Sequence, residues 1–315
     1  MARRTLDYLK RVRLWVFNDE ILWEGLTEIE RSRLDGLRTS GFIVLHLACF
    51  GAIFVGVSVT AVLTAALLYI VRMFFITAFY HRYFSHRAFK ANRTAQLLMA
   101  FAGCTAGQRG PLWWAAHHRE HHRFADTPGD PHSPNHHGMF YSHTLWFLTK
   151  GSFVPPGDRV RDWQRFAELQ MLERLDWLPF AALGAACFAV GAYLETHYPE
   201  LGTNGWQMLV WGFVISTVVL YHATYTINSL AHRFGTRRYD TPDSSRNNVW
   251  LAILTLGEGW HNNHHRFPSC AKHGIRWWEI DLGYLGLRGL AALGLIRDLK
   301  PASARTSRKS AGLPL

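Results

Sequence analysis

Residues 41–80 read GFIVLHLACFGAIFVGVSVTAVLTAALLYIVRMFFITAFY, forty positions in which Arg72 is the only formal charge. About twenty apolar residues cross the hydrocarbon core of a bilayer, so a run of this length predicts two spans folded as a helical hairpin. The turn is expected at GVSVT, Gly56 to Thr60. A second pair follows at 177–194 (WLPFAALGAACFAVGAYL) and 206–225 (WQMLVWGFVISTVVLYHATY). The apolar content of 49% would suit a soluble protein, but it is an average over these runs and a polar remainder. The expected fold class is an all-α integral membrane protein, four transmembrane helices in two hairpins capped by a helical domain.

Basic residues orient the spans. Arg3, Arg4, Lys10, Arg11 and Arg13 precede the first, and 81–176 and the segment after 231 are also rich in Arg and Lys. The loop 195–205, ETHYPELGTNG, has neither. By the positive-inside rule both termini and the long central segment are cytoplasmic and the hairpin tips face out. The net charge of +11 then lies mostly at one membrane surface, near anionic headgroups, which explains it more simply than nucleic acid does. The expected divisions are a basic segment 1–40, hairpins at 41–80 and 177–228, cytoplasmic parts at 81–176 and 229–298, and a disordered basic tail 299–315. Cys49, Cys104, Cys187 and Cys270 are far apart and form no CxxC pair, so neither a zinc knuckle nor a disulfide framework is expected. No cleavable signal pattern precedes the first apolar run.

The eighteen histidines are clustered. His81 and His86 stand in HRYFSHR; His118, His121 and His122 in HREHH; His261, His264 and His265 in HNNHH. H-x-x-H-H thus occurs twice, and on a helix positions i, i+3 and i+4 share a face, so each triplet aims three imidazoles at one place. Five residues separate His81 from His86, which leaves them roughly 140° apart on a regular helix. That pair suits two neighbouring metals, or a helix ending between them. His46, His197 and His273 are isolated and read as surface or packing residues. Structural zinc takes four ligands, commonly with cysteine. Eight imidazoles without cysteine exceed one such site and suit two first-row metals with an open position, iron if dioxygen is to be activated. Binding requires neutral imidazoles, so occupancy should fall in mild acid.

HRYFSHR, WAAHHREHH and GEGWHNNHH resemble the three histidine boxes of the membrane fatty acyl desaturases, most of all the stearoyl-CoA type Δ9 subgroup. The resemblance runs from about residue 69 to 268 and includes DPHSPNHHGMFYSH and INSLAH. It implies two irons held by His81, His86, His118, His121, His122, His232, His261, His264 and His265, with Asn228 reaching one through water. It also implies O2 as co-substrate and a cis double bond, Δ9 by analogy, set into a saturated acyl chain carried by coenzyme A or a lipid. Glu258 is a candidate partner for a box histidine.

The chain departs from the animal members near the headgroup site. Their Arg and Asp before the second box are Ala116 and His117 here, a basic pair is reduced to Lys150 followed by Gly151, and an asparagine is replaced by Arg109. Arg109, His117 and Lys150 are therefore the candidate headgroup contacts, with coenzyme A as carrier in doubt. No cytochrome b5 domain is fused, so electrons are expected from a separate donor of ferredoxin, rubredoxin or cytochrome b5 type with its reductase.

Regioselectivity on a featureless chain calls for a narrow tunnel beside the metals. Trp113, Trp114, Trp146, Trp260 and Tyr225 are near the boxes and are candidate lining residues. Tyr69, twelve residues before His81, is expected to close the methyl end, with Arg72 seating its hydroxyl. A related hydroxylase would give an alcohol instead of a double bond. A non-enzymatic metal carrier would need ligands along a membrane path, where only His46, Arg72 and His222 are found. A bacterial inner membrane is preferred to the endoplasmic reticulum.

Overall fold

The computed structural model describes residues 12–18 except 14, and 25–303. Arg3, Arg4, Lys10, Arg11 and most of the expected tail lie outside the described residues. Ten helices carry the argument: α1 Gly36–Val55, α2 Val59–Ser85, α3 Arg93–Cys104, α4 Pro111–Phe124, α5 Ala167–Arg174, α6 Trp177–His197, α7 Gly205–His232, α8 Val249–Leu254, α9 His261–Arg266 and α10 Leu282–Ala292. Two short antiparallel strands, β1 Lys90–Ala91 and β2 Ile296–Arg297, tie the segment after α10 to the segment after α2.

α1, α2, α6 and α7 are long and apolar enough to cross a membrane. Gly56 takes a left-handed φ of 69° between α1 and α2, and Ser58 caps α2 through its side chain, so the turn is tighter than expected. α2 also runs beyond the expected end at 80, and His81 is part of it. Its last eleven residues, Phe75–Ser85, are π-helical. Arg72, buried within the apolar layer, donates to Ser216 Oγ (2.6 Å) and Thr217 Oγ1 (2.7 Å) of α7. A cation at that depth needs such partners. They are not the Tyr69 hydroxyl, as the sequence suggested. His46 is likewise not isolated: its Nε2 is 3.0 Å from His222 Nε2, and His222 Nδ1 is 3.0 Å from His143 Nε2.

The main core lies where α2, α3, α4 and α5 meet, around Tyr80, Phe84, Ala100, Leu112, Ala115 and Leu169. α4 begins with Pro at its first position, where a missing N–H costs nothing. Two of its free amides, Leu112 and Trp113, are taken by the Glu173 carboxyl of α5 at 2.9 and 3.2 Å. Burial pushes that carboxyl up to about 7. The far end of α4 then carries His118, His121 and His122 onto the top of the core. All four cysteines are free, as their spacing implied.

Candidate metal centre and cavity

Two groups of imidazoles converge between the ends of α2, α4, α7 and α9. One comprises His81, His86, His118, His122 and His264; the other His121, His232, His261 and His265. Each H-x-x-H-H triplet is therefore split between the groups. His81 and His86 fall in the same group, and of the two alternatives their spacing left open the structure has the second, with α2 ending at Ser85 between them. The cause is the π-helical end of α2, where the His86 amide bonds the His81 carbonyl five residues back (3.3 Å). That winding brings i and i+5 close in angle, and single π turns are frequent at functional sites.

The groups fit cations. His264 Nε2 is 3.1 Å from His81 Nε2 and 2.8 Å from His122 Nε2, and His86 Nε2 is 2.8 Å from His118 Nε2. In the second group His261 Nε2 is 3.0 Å from both His232 Nε2 and His265 Nε2. Nitrogens bound to one metal at about 2.1 Å sit about 3 Å apart when adjacent.

The opposite ring nitrogens explain why these lone pairs face one another. His121, His232 and His265 each place Nδ1 about 3 Å from a carboxylate, at 3.0 Å from Asp130, 2.9 Å from Asp126 and 3.0 Å from Asp243. His81 Nδ1 is 2.5 Å from Glu258. Burial alone would raise the Asp126, Asp130 and Asp243 carboxyls. The paired imidazoles and surrounding donors instead hold all three below the usual carboxylate range. Ionised, they can only accept, so each fixes the Nδ1–H tautomer and leaves Nε2 as an acceptor. His121, His232 and His265 thus bring three such acceptors within 4.8 Å of one another, an arrangement that repels unless a cation lies among them. Burial also holds His86, His118, His122, His261 and His264 well below the ordinary imidazole range, and His265 at about 4. They are neutral, the ligating form, at neutral pH.

Several contributors were missed by sequence reasoning. Asp130 opens a segment already noticed for its histidines, but Asp126 and Asp243 carried no signal. His273 is not a surface or packing residue: it is buried, with Nδ1 3.4 Å from Glu258 and its ring 4.5 Å from His264. The asparagines of HNNHH fasten the box. Asn262 accepts from the Arg238 and Tyr239 amides (2.8 and 2.7 Å), and Asn263 donates to Glu279 and the His273 carbonyl (both 2.9 Å). Replacing Asp243 by alanine removes the group that orients His265. It is expected to lower activity and metal affinity roughly 10–100-fold with the fold retained, read by metal titration.

Beside the histidines opens a cavity of about 480 Å³, within the usual small-molecule range. His118 and Asn228 lie on its wall, as do Arg109, His117, Trp146 and Tyr225 from the expected substrate contacts, and Trp113 and Trp114. His117 hydrogen-bonds the Ser152 carbonyl (3.1 Å), and burial holds it at about 3, so it is a neutral wall residue. Arg109 is already engaged by Asp176, 3.5 Å away, and both Arg109 and Arg38 lie over the Phe153 ring, at 4.6 and 4.3 Å. Arg38 was missed because it reads as one more basic residue before a span.

Three expected contacts are elsewhere. Lys150 is in a loop bonded to the Arg33 carbonyl, and Trp260 Nε1 donates to the Ile280 carbonyl at 2.8 Å. Tyr69 is absent from the wall and donates to the Leu254 carbonyl at 2.6 Å, on the other side of α2. The innermost wall residue of α1 is Ala48, twelve residues and about 18 Å beyond Gly36.

Residues 58–295 match the fatty acid desaturase family. Delta-9 acyl-lipid desaturase 1 of Arabidopsis thaliana is 35% identical over 290 residues, 91% of this chain and 90% of that protein. The sn-1 stearoyl-lipid 9-desaturase of Synechocystis is 36% identical over 68% of this chain and 63% of its own length. A hex-5-enoyl-[acyl-carrier protein] acetylenase of Moorena producens is 34% identical over 69% of this chain and 70% of its own.

Proposed function

Because the chain belongs to the fatty acid desaturase family of oxidoreductases, we propose that it sets a cis double bond, at Δ9, into a saturated chain esterified to a membrane lipid or to coenzyme A. The observation that carries this reading is the pair of facing imidazole groups at the wall of an apolar cavity. Unactivated methylenes have no acidic proton, so side-chain acid–base chemistry cannot start the reaction. Two ferrous ions, when bound, supply the O2 chemistry that the side chains lack. The balance is one O2, two electrons and two protons per double bond, with two waters released. A separate small redox protein provides the electrons.

The nine histidines hold the metals, with Asn228 on the cavity side positioned to reach one through water. Asp126, Asp130, Asp243 and Glu258 orient four of those imidazoles. Trp113, Trp114, Trp146 and Tyr225 form a wall that excludes water and confines the chain, which is what selection of one carbon pair requires. Arg109 and Arg38 face the acyl carrier. The basic segments support a cytoplasmic histidine side with 195–205 outside, and the membrane in this reading is a bacterial inner membrane.

The test is expression in a host lacking unsaturated lipids, followed by mapping of new double bonds. Cis-monounsaturated chains support the reading; hydroxylated chains, or no new product with both metals bound, overturn it. Chain length should be read out at Ala48 and not at Tyr69. Ala48→Phe is expected to shift products toward shorter chains without moving the double bond counted from the carboxyl end. Tyr69→Ala is expected to leave the chain-length profile unchanged.

A further inference from the structure

We infer that 249–256 is a re-entrant finger inserted among the lipid chains of the leaflet on the histidine side, and that α10 with Trp277 and Trp278 forms the apron beside it.

The base of the finger is closed by backbone. Asn248 N donates to the Gly259 carbonyl (2.8 Å), and Asn247 bridges Trp260. Between them the chain descends as α8 and returns through Leu256 and Gly257, with φ of 54° and 119°. Contacts with α2 give its depth. At the base, Glu258 bonds Thr77; at the tip, the Leu254 carbonyl takes the Tyr69 hydroxyl. Tyr69 and Thr77 are eight residues apart, so the finger runs along α2 for about 12 Å. Tyr69 is ten residues, about 15 Å, from Val59 at the other membrane face, which is the middle of a hydrocarbon core about 30 Å thick. Allowing for the reach of the tyrosine side chain, the tip still lies inside the core.

The exposed residues match that depth. Trp250 is 76% exposed, Ile253 57% and Val249 47%. On α10, which packs Gly286 against Phe74 of α2, Leu285 is 52% exposed, and Leu293 just beyond it 74%. Trp277, 93% exposed, follows exposed Arg276, the pairing found at headgroup level. Water would not tolerate this continuous apolar face, whereas lipid chains would. Backbone at such depth needs its carbonyls satisfied, and the Tyr69 hydroxyl does this for the tip. Since the finger's base leads directly into His261, the leaflet also supports the third histidine box.

The test uses the unmodified protein in nanodiscs of phosphatidylcholine carrying a photoreactive diazirine at mid-chain, with adducts mapped by peptide mass spectrometry. Labelling of 249–254 and 282–293 is expected to equal that of the exposed stripe Val59, Leu63 and Leu67 of α2. It should exceed the exposed segment 135–138 several-fold. Labelling at the level of that segment would overturn the inference.

Discussion

Replacing His264 or His261 by alanine is expected to remove one of two metals per chain and to abolish turnover. His264 Nε2 faces His81 and His122, and His261 Nε2 faces His232 and His265, so each is central to its own group. Loss of either opens an edge that its neighbours are not free to fill, because His81, His232 and His265 are held from behind by Glu258, Asp126 and Asp243. The effect should far exceed the roughly 10–100-fold typical of a supporting residue such as Asp243. His197→Ala, at an exposed position remote from both groups, should retain both metals and full activity. Metal analysis by mass spectrometry alongside product analysis separates the outcomes. Parent metal content and activity in either variant would sink the two-group assignment.

Arg82→Met is expected to destabilise the fold by about 3–5 kcal/mol, because it removes the cation shared by two buried carboxylates. The Arg82 side chain is fully buried. Its Nη2 is 2.9 Å from Asp281 Oδ1 and 3.2 Å from Glu258 Oε1, and its Nη1 donates to the Ala271 carbonyl at 2.8 Å. It thus joins α2 to both flanks of the third box. Glycines at 257 and 283 permit this approach, since a Cβ at either would lie 3.1 Å from Nη2. Arg82→Lys keeps the charge without the fork and should fall between parent and Met. Thermal unfolding in detergent measures the series. A Met variant as stable as the parent would mean that water reaches Glu258 and Asp281.

The histidine boxes were legible because metal sites use sequence-local spacing: i, i+3 and i+4 need only a helix. What that spacing could not say is how each triplet divides. The division follows from the crossing of α4 and α9 and from the π-helical end of α2, whose i to i+5 bond no residue pattern announced. The carboxylates were harder still. Asp126 and Asp243 lie 106 and 22 residues from the imidazoles they orient, in loops without periodicity. His273 was dismissed because isolation in sequence was taken for isolation in space.

Tyr69 shows the same limit from the other side. Its depth could be counted from the sequence, since a straight helix advances by a fixed rise per residue. Its direction could not, and direction decides whether a side chain meets a substrate or a backbone carbonyl. By itself the sequence determined the apolar helices, the polar ends that carry histidine, and the family. Each of these depends on composition and short-range spacing along one chain segment. Only the tertiary structure decided which imidazoles face one another, which carboxylates hold them, where the cavity runs and which apolar surface is left for lipid. Those depend on the angles at which helices cross and on contacts between residues far apart in the chain.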